Sequence, residues 1–360
     1  MPAARVGVDL AKRVIQVHAV DAAEKVLLSR SLPREKFLAW CAQLPPGCLV
    51  VMEVSSSAHH WARALLAMGL QPRIISAHLA APYRTQGRRG KNDANDSAAI
   101  CEAASRPHMH FVPVKSVEQQ SLLAVHRLRE GVKTDRTACI NRIRGILLEF
   151  GVAVPTGSRA LQGSLDDILE DASNELNALT RWTLQRAQAQ WRELDAHLQW
   201  CDERLAAHAR DNAQVQRAGQ LMGVGPVTAS AAVATVGDFK QFRSAQQFGG
   251  WLGLAPSQNS SGGKARLGGI TKRGDIYLRT LLIQGAKSVV NTAHLRDDPI
   301  SRWAAQLRDR VGWQKAVVAL ANKNARILWA VMSRGIDFDP HHRSVKPGDE
   351  FPSPQACAMT

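Results

Sequence analysis

The sequence predicts an α/β domain at the N-terminus, then a long helical coiled-coil segment, then a mostly helical C-terminal domain. Three observations carry this. Short runs rich in Val, Ile and Leu crowd residues 5–77. Apolar residues at helical spacing fill 117–150 and roughly 175–210. Beyond 213, glycine-marked turns separate further helical stretches,.

Residues 5–9 (RVGVD), 13–20 (RVIQVHAV) and 25–31 (KVLLSRS) read as three consecutive strands parted by turn-like breaks,. An amphipathic stretch at 34–44 precedes a strongly apolar strand, 48–54 (CLVVMEV). A helix at about 57–69, a strand at 72–77 (PRIISA) and a helix beginning near Asn92 follow. Three strands and then alternating helix and strand is the order of an RNase H-like α/β domain, an order that other α/β folds share.

From Val117 to Phe150 the pattern is helical, and residues 111–150 carry seven basic against four acidic side chains. The break 151–158 (GVAVPTGS) ends that helix,. Between about 175 and 210, Leu184, Ala187, Trp191, Leu194, Leu198, Cys201 and Leu205 step by alternating three and four, a heptad seam,. Residues 164–205 hold nine acids against four bases, so this helix reads as a protein–protein element rather than a surface for a polyanion,. An ordinary helix packed within its own chain is the alternative.

Gly223-Val224-Gly225, in LMGVGPVTASAAVA, has the look of a helix-hairpin-helix turn holding a phosphate on backbone N–H groups, or of a plain tight turn,. Residues 262–279 hold five basic residues and one acid and read as a flexible cationic loop leading into a helix. Residues 301–335 add seven bases against one acid, and from Pro340 the chain is expected to be a loose tail,. The expected domains are 1–110, 111–212, 213–340 and a tail at 341–360.

A chain of 360 residues that is 45% apolar can build a substantial core,. Its net charge of +15 implies a polyanionic partner, usually nucleic acid,. No apolar run approaches the roughly 20 residues that span a bilayer. The N-terminus enters a strand pattern without a leader-like apolar stretch, and the six cysteines lack CxxC spacing, so the cytoplasm is the expected compartment,.

Several carboxylates stand out by position. Asp9 ends the first strand and Glu53 ends the central apolar strand, where a buried carboxylate is costly without a cation,. Asp93 and Asp96, in KNDANDSAA, lie three apart at a helix start and share a face,. Such a set can hold two Mg2+ ions, with Mn2+ as the alternative, and paired metals clamp both oxygens of a phosphodiester displacement. Taken singly, each acid has a bland reading: Asp9 as a turn cap, Asp93 as a helix-dipole charge, Asp96 as an exposed acid.

The second signal is GGWLGLAPSQNSSGGKARLGGITKRGD, with Ser257, Ser260 and Ser261 ahead of the cationic stretch. A serine is a weak nucleophile until a base or metal activates it. Lys264, Arg266, Lys272 and Arg273 are candidate nucleic-acid contacts that would also stabilise charge on a phosphate,. A serine-glycine phosphate-binding loop without covalent chemistry fits the composition equally. No Ser/His/Asp hydrolase spacing, Walker loop or HExxH is present,.

Together these motifs resemble the DEDD insertion-sequence transposases, the insertion sequence one-ten and eleven-eleven group, also called bridge-RNA-guided recombinases. VGVDLAKRVIQVHAVD, VVMEVSSSAHHWARAL and GKNDANDSAAICEAA look like the RuvC-like domain of that family, and LMGVGPVTAS through ITKRGDIYLRTLL looks like its transposase domain. ALANKNARILWAV leans towards the eleven-eleven branch. The resemblance implies a metal-binding tetrad at Asp9, Glu53, Asp93 and Asp96 and a nucleophilic serine at Ser261, with Ser260 one register away. Val-Ser-Ser-Ser follows Glu53 where the family has Ala-Thr-Gly. The resemblance further implies Mg2+, a covalent phosphoserine intermediate, donor and target DNA, a noncoding bridge RNA, and self-association as dimer or tetramer. The acidic heptad helix is the expected place for that association.

Two rival readings stand beside it. A RuvC-like nuclease using only the carboxylates and water explains the N-terminal domain but gives the serine stretch no chemical role. A non-enzymatic nucleic-acid scaffold explains the charge, but carboxylates at strand ends would repel phosphate unless a metal intervened.

Overall fold

The computed structural model describes residues 2–84, 92–259 and 266–341. The chain divides into two compact units, Met1–Ser121 and Leu122–Thr360.

The first unit is built on six strands, β1 (Arg5–Leu10), β2 (Val14–Val20), β3 (Val26–Pro33), β4 (Leu49–Glu53), β5 (Gln71–Ile75) and β6 (Phe111–Val112). Its helices are α1 (Phe37–Cys41), α2 (Ala58–Ala67), α3 (Ala77–Ala80) and α4 (Asp93–Ala103). The sheet order is β3-β2-β1-β4-β5-β6. Strands β1, β4 and β5 are parallel neighbours, while β2, β3 and β6 pair antiparallel. Alternation of side chains sorts the two faces. Val6, Val8, Val50 and Met52 pack with Phe37, Trp61 and Leu65 on one side. Val51 and Ile75 pack with Ile100 and Ala103 of α4 on the other. The two-residue β6 is too short to carry a period and was not foreseen.

Gly7 lets α4 lie against β1. A Cβ there would stand 2.1 Å from the Ser97 carbonyl oxygen and 2.6 Å from the Cys101 amide nitrogen, both backbone atoms that cannot swing aside. Gly7→Val is therefore expected to lever α4 off the sheet and to lower unfolding free energy by about 3 kcal/mol. Chemical denaturation measures it, and an unchanged midpoint would contradict the close approach.

The second unit contains α5 (Val117–Glu149, which spans the boundary), α6 (Ser158–Glu170) and α7 (Ala178–Asp211). Arg129 pairs with Asp202 at 2.6 Å, and Arg136 pairs with Asp195. The Cys139 thiol donates to the Ala187 carbonyl. Partner numbers fall as α5 advances, so α5 and α7 run antiparallel. Leu184 and Trp191 of the heptad seam are buried with Cys139, Ile143 and Leu147 of α5 and with Leu161 and Leu165 of α6. Leu184, Ala187, Trp191 and Leu194 thus pack within their own chain, and over these positions apolar side chains of α5 and α6 take the place of the expected self-association contact. Helix α6 itself was hidden by the break before it, although Leu161, Leu165 and Leu169 repeat at i+4.

The rest of the unit comprises α8 (Ala213–Gly219), α9 (Pro226–Val236), α10 (Ala245–Trp251), β7 (Pro256–Gln258), β8 (Leu267–Ile270), α11 (Ile276–Thr292), α12 (Pro299–Val311) and α13 (Trp313–Arg334). Phe248, Leu282, Val290, Leu320 and Leu328 lie in one core with α9. Gly223–Gly225, read as a phosphate-holding turn or a plain tight turn, packs closely on α11. A Cβ on Gly285 of α11 would lie 1.8 Å from the Gly223 carbonyl oxygen, and Val224 is buried. No described helix is long and apolar enough to cross a membrane.

Candidate active site

Parallel pairing brings Val8 opposite Met52, so the next residues, Asp9 and Glu53, follow side by side at the ends of β1 and β4. The two-residue period puts Asp9 on the face of Gly7, and Glu53 on the face of Val51. Both faces are the one that α4 covers. Helix α4 starts there because Asn92 caps it, its Oδ1 accepting the Asn95 N–H at 2.8 Å,. Asp93 and Asp96 fall in its first turn; Asp96 is buried and Asp93 exposed. The sheet and α4 therefore bring Asp9, Glu53, Asp93 and Asp96 to one end of the first unit.

The electrostatics register this. Burial pushes the Asp9 carboxyl up to about 6, and the negative charges of Asp93, Asp96 and Glu53 push in the same direction,. A carboxyl raised in the folded state contributes stability that is intact below its ordinary value near 3.8 and lost as pH rises through about 6,. Asp9→Asn should accordingly stabilise the protein in chelator at neutral pH by about 1–2 kcal/mol, allowing for the half-exposure of the group. The same substitution should change little at about pH 4. Denaturation at the two pH values checks this, and destabilisation at both would contradict the crowding of charge.

Arg84 supplies a counter-charge, its Nε donating to Asp96 Oδ1. Among the described residues no three Asp, Glu, His or Cys side chains stand close enough to hold one ion. The donor set nonetheless suits a hard divalent cation: it is all oxygen, and burial together with the neighbouring acids makes Asp9 resist ionisation,. Sequence reasoning passed over Arg84, which stands isolated before a basic stretch.

A second constellation lies in the second unit. β7 and β8 pair antiparallel, with Pro256 opposite Ile270 and Gln258 opposite Leu267. The Asn259 N–H donates to the Arg266 carbonyl, and Lys272 N–H to the Gly253 carbonyl, at 3.0 and 3.1 Å. At the base the two chains touch. A Cβ on Gly253 would stand 2.0 Å from the Arg273 carbonyl oxygen, and one on Gly274 1.7 Å from that of Trp251. Both glycines also take left-handed torsions, φ 70° and 84°,. Beneath them the buried Arg279 donates from one nitrogen to the Leu252 and Arg273 carbonyls, at 2.8 and 3.0 Å.

Residues 262–279, expected to form a flexible loop, thus include a pinned hairpin strand and its base. Glycine content suggested freedom, whereas these glycines allow tight crossings. Arg279 was missed although its spacing from Leu282 and Ala286 places a cation on the buried face of α11. Arg266, Lys272 and Arg273 are exposed, and Lys272 takes φ 57°, a torsion that costs a side-chain-bearing residue about 1 kcal/mol,. Ser257 faces Gly268 on the hairpin. Ser260, Ser261 and Lys264 lie outside the described residues, in the segment joining the two strands. Near the start of α11, Tyr277 is 3.0 Å from Nδ1 of the buried His126, whose Nε2 lies 3.1 Å from Ser230. Burial lowers His126 to about 4, so it anchors α11 as a neutral ring.

Two family models match the segments of the chain in which these constellations lie. The family described as "Transposase IS116/IS110/IS902 family" matches residues 215–299, and a transposase family of the DEDD IS110 type matches residues 6–151. A probable family 20 transposase of Pseudomonas aeruginosa is 45% identical over 341 residues, covering 94% of this chain and all of the relative. The transposase for insertion sequence element IS1111A of Coxiella burnetii is 40% identical, over 91% of this chain and 89% of its own. The transposase for IS1328 of Yersinia enterocolitica is 34% identical, over 92% and 98%.

Proposed function

This chain belongs to the IS110-type DEDD transposases, DNA transposases of insertion sequences, and we propose that it cuts and rejoins DNA with Asp9, Glu53, Asp93 and Asp96 as metal ligands and Ser261 as nucleophile. The observation that carries the proposal is the Asp9 carboxyl, lifted to about 6 by burial and by the other three acids. Crowding of like charge at the ends of parallel strands costs stability and calls for a cation. The strand order β3-β2-β1-β4-β5-β6 supports reading the first unit as an RNase H-like, RuvC-like domain.

Divalent metal, when bound, would supply Lewis-acid stabilisation of charge on the scissile phosphate. The chain's own residues do the rest. The four carboxylates hold and orient it; Arg84 balances the charge of Asp96. Ser261 Oγ forms a bond to phosphorus as a phosphorus–deoxyribose oxygen bond breaks; the serine gives up its proton and the departing deoxyribose oxygen gains one. One phosphodiester replaces another, so the reverse attack by a strand end rejoins DNA without an outside energy source. Arg266, Lys272 and Arg273 line the hairpin on which that segment is mounted and would hold the phosphate backbone. Donor and target DNA are the substrates of this reading, with a noncoding bridge RNA choosing the sites, and a second copy completing the assembly through surfaces other than the covered heptad seam.

Strand cleavage by the Asp9→Asn and Ser261→Ala proteins tests it. Loss with both supports the composite mechanism, and undiminished cleavage with either removes the corresponding half.

A further inference from the structure

Glycine inside a strand is unfavourable, because it gives up more conformational freedom than other residues and packs no side chain. Each glycine on the hairpin therefore needs a reason. Gly253 and Gly274 have left-handed torsions and backbone crossings, and a Cβ on Gly268 would lie 2.5 Å from Ser257 Oγ. Gly269 has neither reason. Its φ is outside the left-handed region, and a Cβ there would meet nothing within 4 Å among the described residues.

The ladder shows what is unusual at this point. Pro256 pairs with Ile270 and Gln258 with Leu267, so Gly268 and Gly269 together oppose Ser257. This is a bulge in β8, a device that bends a strand and re-aims it beside functional sites. A bulge with ordinary torsions accepts side-chain-bearing residues, so the bulge alone does not call for glycine at 269. Leu267, just before it, is 65% exposed, while Ile270, just after, packs on the C-terminal core. Residues 264–274 hold four bases and no acid. An open glycine, an exposed leucine and flanking cations form a face made for close approach by a polyanion with apolar edges.

We propose that the bulged face of β8 is a contact surface for a DNA strand, its sugar–phosphate backbone lying against Gly269 and its sugar or base edge against Leu267. Arg266 on one side and Lys272 with Arg273 on the other take the phosphates, while the missing side chain at 269 lets the backbone come within van der Waals reach. The inference rests on the reading that this cationic hairpin faces nucleic acid.

Gly269→Val in the full chain separates contact from folding. Valine favours strands and has open space here, so the melting temperature should equal or exceed that of the parent. Binding of a fluorescein-labelled mixed-sequence duplex should weaken by about fivefold or more, the loss of one well-packed contact. Gly269→Ala should melt as the parent does and bind about twofold more weakly, and it decides the matter if valine disturbs the fold. Parent-like binding by the Gly269 variants, while Lys272→Gln with Arg273→Gln weakens binding, overturns this inference alone. Parent-like binding by the lysine–arginine variant as well overturns the reading of the hairpin as a nucleic-acid surface. A loss confined to a mixed-sequence RNA probe overturns it too and gives the face to RNA.

Discussion

Asp9→Asn and Asp96→Asn are expected to abolish strand cleavage in Mg2+ while leaving duplex binding within about threefold of the parent, since neither carboxylate contributes a phosphate contact. Removing a ligand oxygen from a metal-assisted phosphoryl displacement forfeits several kcal/mol of transition-state stabilisation, about a thousandfold or more in rate. Asparagine keeps the shape of the side chain and removes only its charge. Glu102→Gln is the control: Glu102 also lies on α4, but it pairs with Arg106 away from the helix start. Its cleavage should match the parent. A nicking assay on supercoiled DNA reads all three, and parent-like cleavage by Asp9→Asn or Asp96→Asn would contradict the tetrad.

The pair of results for Asp9 is informative together. The same substitution that stops cleavage should make the protein in chelator more stable at neutral pH, because it removes a charge that is penalised by burial and by repulsion from Glu53, Asp93 and Asp96,. A residue kept for packing would lose stability when altered. Function and stability pulling in opposite directions marks a site where burial of charge is retained for chemistry.

The carboxylate end of the first unit was legible because strands announce themselves. Val6, Val8, Val50 and Met52 alternate with residues of the opposite face, and an acid that interrupts such a run at its end has few structural uses,. Asn92 ahead of Asp93 was an equally plain helix start,. Arg84 was not legible, because its partner Asp96 lies twelve residues further along and pairing at that range leaves no periodic trace. The heptad seam was read correctly as an apolar stripe on a helix, but a stripe does not say whether its cover comes from the same chain; Cys139, Ile143 and Leu147 supply it here. The stretch from 266 to 274 was misread for a different reason. Gly274 looks like flexibility in a sequence, and only its crossing with the Trp251 backbone reveals it as a packing glycine.

The covalent step separates a recombinase from a nuclease that uses water. Both would depend on Asp9 and Asp96, and both would bind DNA through the basic hairpin. Attack by a serine oxygen leaves protein joined to DNA, whereas attack by water leaves free ends. Rejoining follows from the first outcome, because a phosphodiester to serine holds the bond in a form that a strand end can attack in turn.

The most direct measurement uses a suicide substrate, nicked so that the departing strand is lost after cleavage. Denaturing gel electrophoresis followed by mass spectrometry of the trapped peptide identifies the attached residue. The wild-type protein should yield a slow-migrating species with DNA esterified to Ser261. Ser261→Ala should lose that species and recombination together, by about a thousandfold or more as expected for removal of a nucleophile, while duplex binding persists. Ser260→Ala should do less, since only one of two neighbours can align with the departing oxygen. An adduct on Ser260 or Ser257 would move the nucleophile along the chain and keep the mechanism. Cleavage by the wild-type protein with no adduct, unaltered by replacement of Ser257, Ser260 or Ser261, would contradict the covalent mechanism and leave water as the attacking group.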